Sequence, residues 1–119
     1  MEKKKEDKLT NLSMELSVEV LGLVKELQLN KEKIISNQIG RSATSICANI
    51  AESKYAHSRA DFIAKFEIAL KEAFETDNWL KVFKQSNLID EGTFNSIDKV
   101  CTKIRVLLIS SIKTLKSKA

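Results

Sequence analysis

The chain runs for 119 residues without a single proline, and its three glycines, Gly22, Gly40 and Gly92, stand far apart. Proline and glycine are the strongest interruptions of local backbone order, and sandwiches and barrels need them at turn after turn. A chain that lacks them and is 43% apolar can bury a core by pairing long helices. Its length fits one compact domain and leaves no room for two.

The apolar spacing points the same way. Leu9, Leu12, Leu16, Leu23 and Leu27 recur at helical steps and predict a first helix over 8–28. Met14, Val18, Val20, Leu21 and Val24 widen that stripe, which suggests burial against more than one neighbour. Asn30 is a natural cap for a second helix over 31–55, with Leu29 and Ile34 spaced as a hydrophobic staple. Ile35, Ile39, Ile46 and Ile50 give it an apolar face, with Ala43 and Cys47 beside them. The sequence Ser58-Arg-Ala-Asp61 has capping-box spacing and opens a third helix over 59–84, with Phe62, Phe66, Ala69, Ala73 and Leu80 on one side. Asp90 caps a fourth, running to 116, whose stripe is Ile97, Cys101, Ile104, Leu108 and Leu115. Four such helices joined by short connections predict an all-α, antiparallel up-down-up-down four-helix bundle over 9–117, preceded by a charged tail over 1–8.

Several function classes find no support. No apolar run reaches the roughly 18 residues a membrane span needs, and the charged start has no secretory pattern. Cys47 and Cys101, both in apolar-periodic segments, read as reduced core thiols of a cytoplasmic protein. A di-metal bundle site needs paired Glu-x-x-His motifs, and His57 is the only histidine. It reads as a solvated turn residue. No glycine-rich phosphate loop and no nucleophile–base pair can be placed, so neither a cofactor nor an enzymatic activity is expected.

Three polar features call for partners. On the second helix Arg41, Ser45, Asn49 and Glu52 form a row at the margin of the apolar arc. Half-buried polar groups must be hydrogen-bonded, so this row either fixes register against another subunit or is captured inside the bundle. Ile68 and Trp79 fall on a side of the third helix that a lone bundle would leave wet, a second pointer to an oligomer interface. Asp77 and Arg105 both point inward, which pairs Arg105 with Asp77 or with Glu75. The charge is also uneven: the whole chain carries +4, yet six cations and no acid follow Asp98. Lys99, Lys103, Lys113, Lys116 and Lys118 thus make a basic tip, to which Lys3, Lys4, Lys5 and Lys8 can add. Such a tip serves phosphate contact or simply complements the negative end of the helix. No aromatic residue is interleaved with these lysines, as single-strand readers require.

The segment Gln38-Ile-Gly-Arg-Ser-Ala-Thr-Ser-Ile-Cys-Ala-Asn-Ile-Ala-Glu52 resembles the Q-I-R-R-A-A-x-S-I-x-A-N-I-A-E-G signature of bacterial four-helix bundle proteins, including those encoded in intervening sequences of large-subunit ribosomal RNA genes. The segment from Asp61 to Leu80 is similar to that family's second block, D-F-I-x-x-x-x-I-A-L-K-E-A-x-E-T-x-x-W-L, and Ser-Ile-Lys-Thr-Leu-Lys116 resembles its ending. Gly40 stands where arginine is usual, removing a cation, and Ser53 where a glycine stop is usual. The resemblance implies a non-enzymatic bundle that assembles as a ring, a homopentamer. A related branch, the accessory variability determinant of diversity-generating retroelements, implies RNA or a reverse transcriptase as partner through a basic surface.

Overall fold

The computed structural model describes residues 3–29 and 33–118 of the chain. Four α-helices follow one another, α1 (Lys3–Leu29), α2 (Lys33–Ser53), α3 (Arg59–Gln85) and α4 (Glu91–Ser117). Together they make an all-α antiparallel bundle of 49 × 22 × 19 Å. Helix packs on helix in a closed square: α1 on α2, α2 on α3, α3 on α4 and α4 back on α1, with no diagonal pair in contact among the described residues.

Local chemistry sets the helix ends. The Ser58 hydroxyl accepts the Asp61 amide at 3.0 Å, and the Asp61 carboxylate reaches back to the His57 amide at 3.1 Å. This is the expected cap with its return bond moved one residue upstream. Asp90 accepts the Thr93 amide at 2.7 Å to start α4. The end of α3 uses a device the sequence reading did not anticipate. Asn87 takes a left-handed φ of 61°, Leu88 N–H donates to Phe83 C=O at 2.9 Å, and Asn87 N–H donates to Lys84 C=O at 3.1 Å. That paired pattern is a Schellman stop with asparagine in glycine's usual place. At the end of α2, where Ser53 replaces the usual glycine, three successive tight turns stop the helix instead: Lys54, Tyr55 and Ala56 donate to Ala51, Glu52 and Ser53. The proposed Asn30 cap lies outside the described residues, as does the Ile34 side chain of its staple.

The core follows the sequence stripes, with Leu9, Leu16, Ile39, Ile46, Phe66, Leu80, Ile104 and Leu108 all fully enclosed. Phe62 packs at a tilt of 43° against Phe66 with ring centroids 4.7 Å apart. Two features depart from expectation. α1 begins at Lys3, five residues ahead of the expected helix start at 8, through Lys3-Lys-Lys-Glu-Asp-Lys8, in which lysine and glutamate are good helix formers. Of the residues that widen the α1 stripe, Val20 is buried and Val24 packs on the core, but Met14, Val18 and Leu21 are 54%, 64% and 50% exposed because α1 has only two neighbours and neither covers that side.

Candidate nucleic-acid interface

The lysines of α4 sort into two groups. Lys99, Lys103 and Lys113 are exposed, fall within an arc of about 80° on the outer side of the helix, and have no ion-pair partner among the described residues. Lys116 turns toward α3, where Glu67 accepts it at 2.8 Å. Lys118 is exposed, and its carbonyl accepts the Arg59 guanidinium, which ties the end of α4 to the start of α3.

Antiparallel packing does what sequence order cannot. It brings the start of α1, with Lys3, Lys4, Lys5 and Lys8, to the same end of the bundle as the last turn of α4. The α2–α3 turn joins them there with Lys54 and Arg59. A hollow of about 390 Å³ opens at this end between Glu6, Ser53, Lys54, Ala56, Ser58, Arg59, Phe62 and Leu115.

Arg41, Ser45, Asn49, Glu52, Ile68 and Trp79 lie along the α2–α3 seam, and the chain itself supplies partners for all the polar ones. Arg41 bonds Glu72 at 2.7 Å and also grips Glu75, whose carboxylate accepts Trp79 Nε1–H at 3.2 Å. Burial pushes Glu75 up, but the hydrogen bonds from Arg41 and Trp79 win and hold its carboxyl below the usual range. Glu52 pairs with Lys65 at 3.6 Å. Asn49 Nδ2–H donates to the Ser45 carbonyl at 2.9 Å, with the Ser45 hydroxyl at 3.2 Å. Beneath this row Ser42 and Thr76 share a hydrogen bond of 2.8 Å across the two helices. Ile68 remains 44% exposed.

A second ionic cluster lies between α3 and α4. Arg105 pairs with Asp77 at 3.7 Å rather than with Glu75, and Lys81 reaches the same carboxylate at 3.0 Å. Arg105 also sits 5.3 Å from the centre of the Phe74 ring and donates to the Thr102 hydroxyl at 3.0 Å. Asp98 completes the cluster, a residue the sequence reading passed over. A hydrogen bond shared with Asp77, burial and the Asp77 charge together push its carboxyl up to about 6. Cys101 is buried against the Ala73 carbonyl, and burial first of all pushes its thiol up to about 12. Cys47 is also free but only half-buried. Gly40 faces α1, where an added Cβ would stand 3.3 Å from Val24 Cγ2. A side chain at position 40 would therefore meet α1 rather than a polyanion. Among the described residues no three metal-ligating side chains converge, and no helix is long and apolar enough to cross a membrane.

An antiparallel four-helix bundle with cations gathered at one end and along one outer helix defines the class. The chain belongs to the family of 23S rRNA-intervening sequence proteins, which it matches over residues 5–110. It is 45% identical to a protein of unknown function from the S23 ribosomal protein family of Bacteroides thetaiotaomicron VPI-5482, known from a 1.70 Å crystal structure. That similarity covers 92% of this chain and 98% of the other, with a TM-score of 0.89. No curated protein matches the chain.

Proposed function

We propose that this protein is a non-enzymatic, oligomeric RNA-binding module of the cytoplasm that takes the phosphate backbone on α4 and the lysine-rich end of the bundle. The observation that carries the reading is the convergence of both chain ends on one cationic pole, continued along α4 by Lys99, Lys103 and Lys113. Lysines without carboxylate partners are free to displace the counterions of a polyanion, and repetition of the pole in an oligomer multiplies its field. Membership of a family described by rRNA intervening sequences and the ring implied by the sequence resemblance support the same reading. A reverse transcriptase is the protein partner to try alongside RNA.

Binding of a labelled RNA at 50 and 200 mM salt tests it. Affinity should fall steeply between the two, and replacing Lys103 and Lys113 by glutamine should flatten the salt slope by about 1.4, that is about 0.7 per cation on a single strand. Binding that ignores salt and both substitutions contradicts the reading. The exposed strip of Met14, Val18 and Leu21 favours a second reading, a protein-interaction bundle without RNA. A flat RNA titration beside a stable oligomer in light scattering selects it.

A further inference from the structure

We infer that Tyr55 is a stacking platform for an unpaired base, so that the RNA this pole accepts is single-stranded. The inference rests on the RNA reading above and adds the form of the ligand. Tyr55 is the only tyrosine of the chain and 83% exposed, the most exposed large aromatic side chain in the molecule. Most of the apolar area of this ring is left in water rather than packed against the bundle. It is not on a loose segment. The three tight-turn hydrogen bonds that end α2 run through residues 54–56 and fix the backbone that carries it.

Its immediate surroundings are mixed in charge, and the cation beside it that no carboxylate engages among the described residues is Lys54. Tyr55 shares a shallow depression of about 360 Å³ with Glu52, His57, Asp61 and Lys65. The two acids there are already engaged, Glu52 by Lys65 at 3.6 Å and Asp61 by the His57 amide at 3.1 Å. Lys54, next in the chain, and Arg59 line the adjoining hollow, and Arg59 holds the end of α4 against it. Lys54 precedes the ring in the chain, and the fold sets Lys54 beside Lys3 at the start of α1. An exposed ring beside a cationic track is the combination that single-strand binders use, with each stacked base contributing independently of sequence. Bases in a duplex stack on one another and leave no free face for the ring.

The test measures full-length protein against a fluorescent 12-mer of uridine and a 12-base-pair RNA duplex, by anisotropy at 50 mM salt. Tyr55→Ala should weaken binding of the 12-mer by about 5- to 150-fold, leave the duplex unchanged and keep the wild-type salt slope. Tyr55→Trp should restore the 12-mer. Wild-type affinity of Tyr55→Ala for the 12-mer, while Lys103→Gln with Lys113→Gln weakens both ligands, overturns the stacking role and leaves the RNA reading standing. Indifference of both ligands to both sets of substitutions overturns the two together. A change in oligomeric mass of Tyr55→Ala, read by light scattering, assigns the ring to a contact between copies and also overturns the inference.

Discussion

Asp98 and Asp77 are two carboxyls held against each other between α3 and α4, and one proton serves both better than none. Asp98 is pushed up to about 6, above the 3.8 it would have in an unfolded chain, so the folded state holds its proton more tightly. Stability from this group is present at low pH and is lost as pH rises through about 6. Asp77 runs the other way: burial raises it, but the hydrogen bonds from Asp98 and Lys81 and the charge of Arg105 hold it below 3.8, and its contribution is lost only as pH falls below that value. Asp98→Asn keeps a donor for Asp77 and removes the second charge. It should raise stability at pH 8 by about 1–2 kcal/mol, a shift of this size discounted for partial exposure, and have no such benefit at pH 4. Equal melting shifts at pH 4 and pH 8 would remove the shared proton from the account. Asn87 offers a second case at this scale. Its left-handed φ of 61° strains any residue with a Cβ. Asn87→Ala should cost about 1 kcal/mol and Asn87→Gly should gain a few tenths, measured by urea titration. The inward lean of Asp77 and Arg105 was legible from helical spacing alone. Asp98 was not, because its meaning depends on the register of α4 against α3, which no single helix encodes.

Among the helices, α2 and α3 share the most extensive seam, and it carries polar groups at its edge and centre. Arg41 is half-exposed while Glu72 keeps only 9% of its side chain accessible, so removing the arginine strands a nearly buried carboxylate. Arg41→Met should cost about 1–3 kcal/mol, less than a fully buried pair because water can reach the vacated side. A double-mutant cycle with Glu75→Gln should return a coupling of about 0.5–1 kcal/mol, and additive single effects would contradict the clamp. The sequence showed this polar row but left open whether a second subunit or the bundle itself would satisfy it. Helical steps place Arg41 on an edge, and only the antiparallel register shows that Glu72 and Glu75 meet it there. The α1–α2 seam turns on Gly40. Gly40→Ala gains about 1 kcal/mol of helix propensity and meets Val24 Cγ2 at 3.3 Å, two effects of opposite sign. The gain should appear in full only when Val24→Ala clears the space, which paired melting curves would show.

At the scale of the molecule, a square of helices without diagonal contacts has one closing seam, α1 on α4, and it is the least extensive of the four. A hollow of about 390 Å³ between Glu19, Leu23, Glu26, Gly92, Thr93, Ser96 and Ile97 interrupts it further, at the end away from the converging lysines. Local opening follows sparse packing, so the bundle should lose this seam at lower free energy than the α2–α3 pair. Native-state hydrogen exchange should find the amides of Ile46, Ala69 and Ala73 opening only with global unfolding. Amides in the first two turns of α1 and the last two of α4 should open about 2 kcal/mol sooner or more. Uniform protection would mean that the ring is equally tight all round. The first turns of α1 and the last of α4 carry the converging lysines, and like charges there oppose closure, which is why opening is expected at these two ends first. A polyanion bound at that pole neutralises them, so protection at both ends should rise together on adding RNA while that of Ile46 stays level, and a rise confined to α4 would leave α1 outside the binding surface.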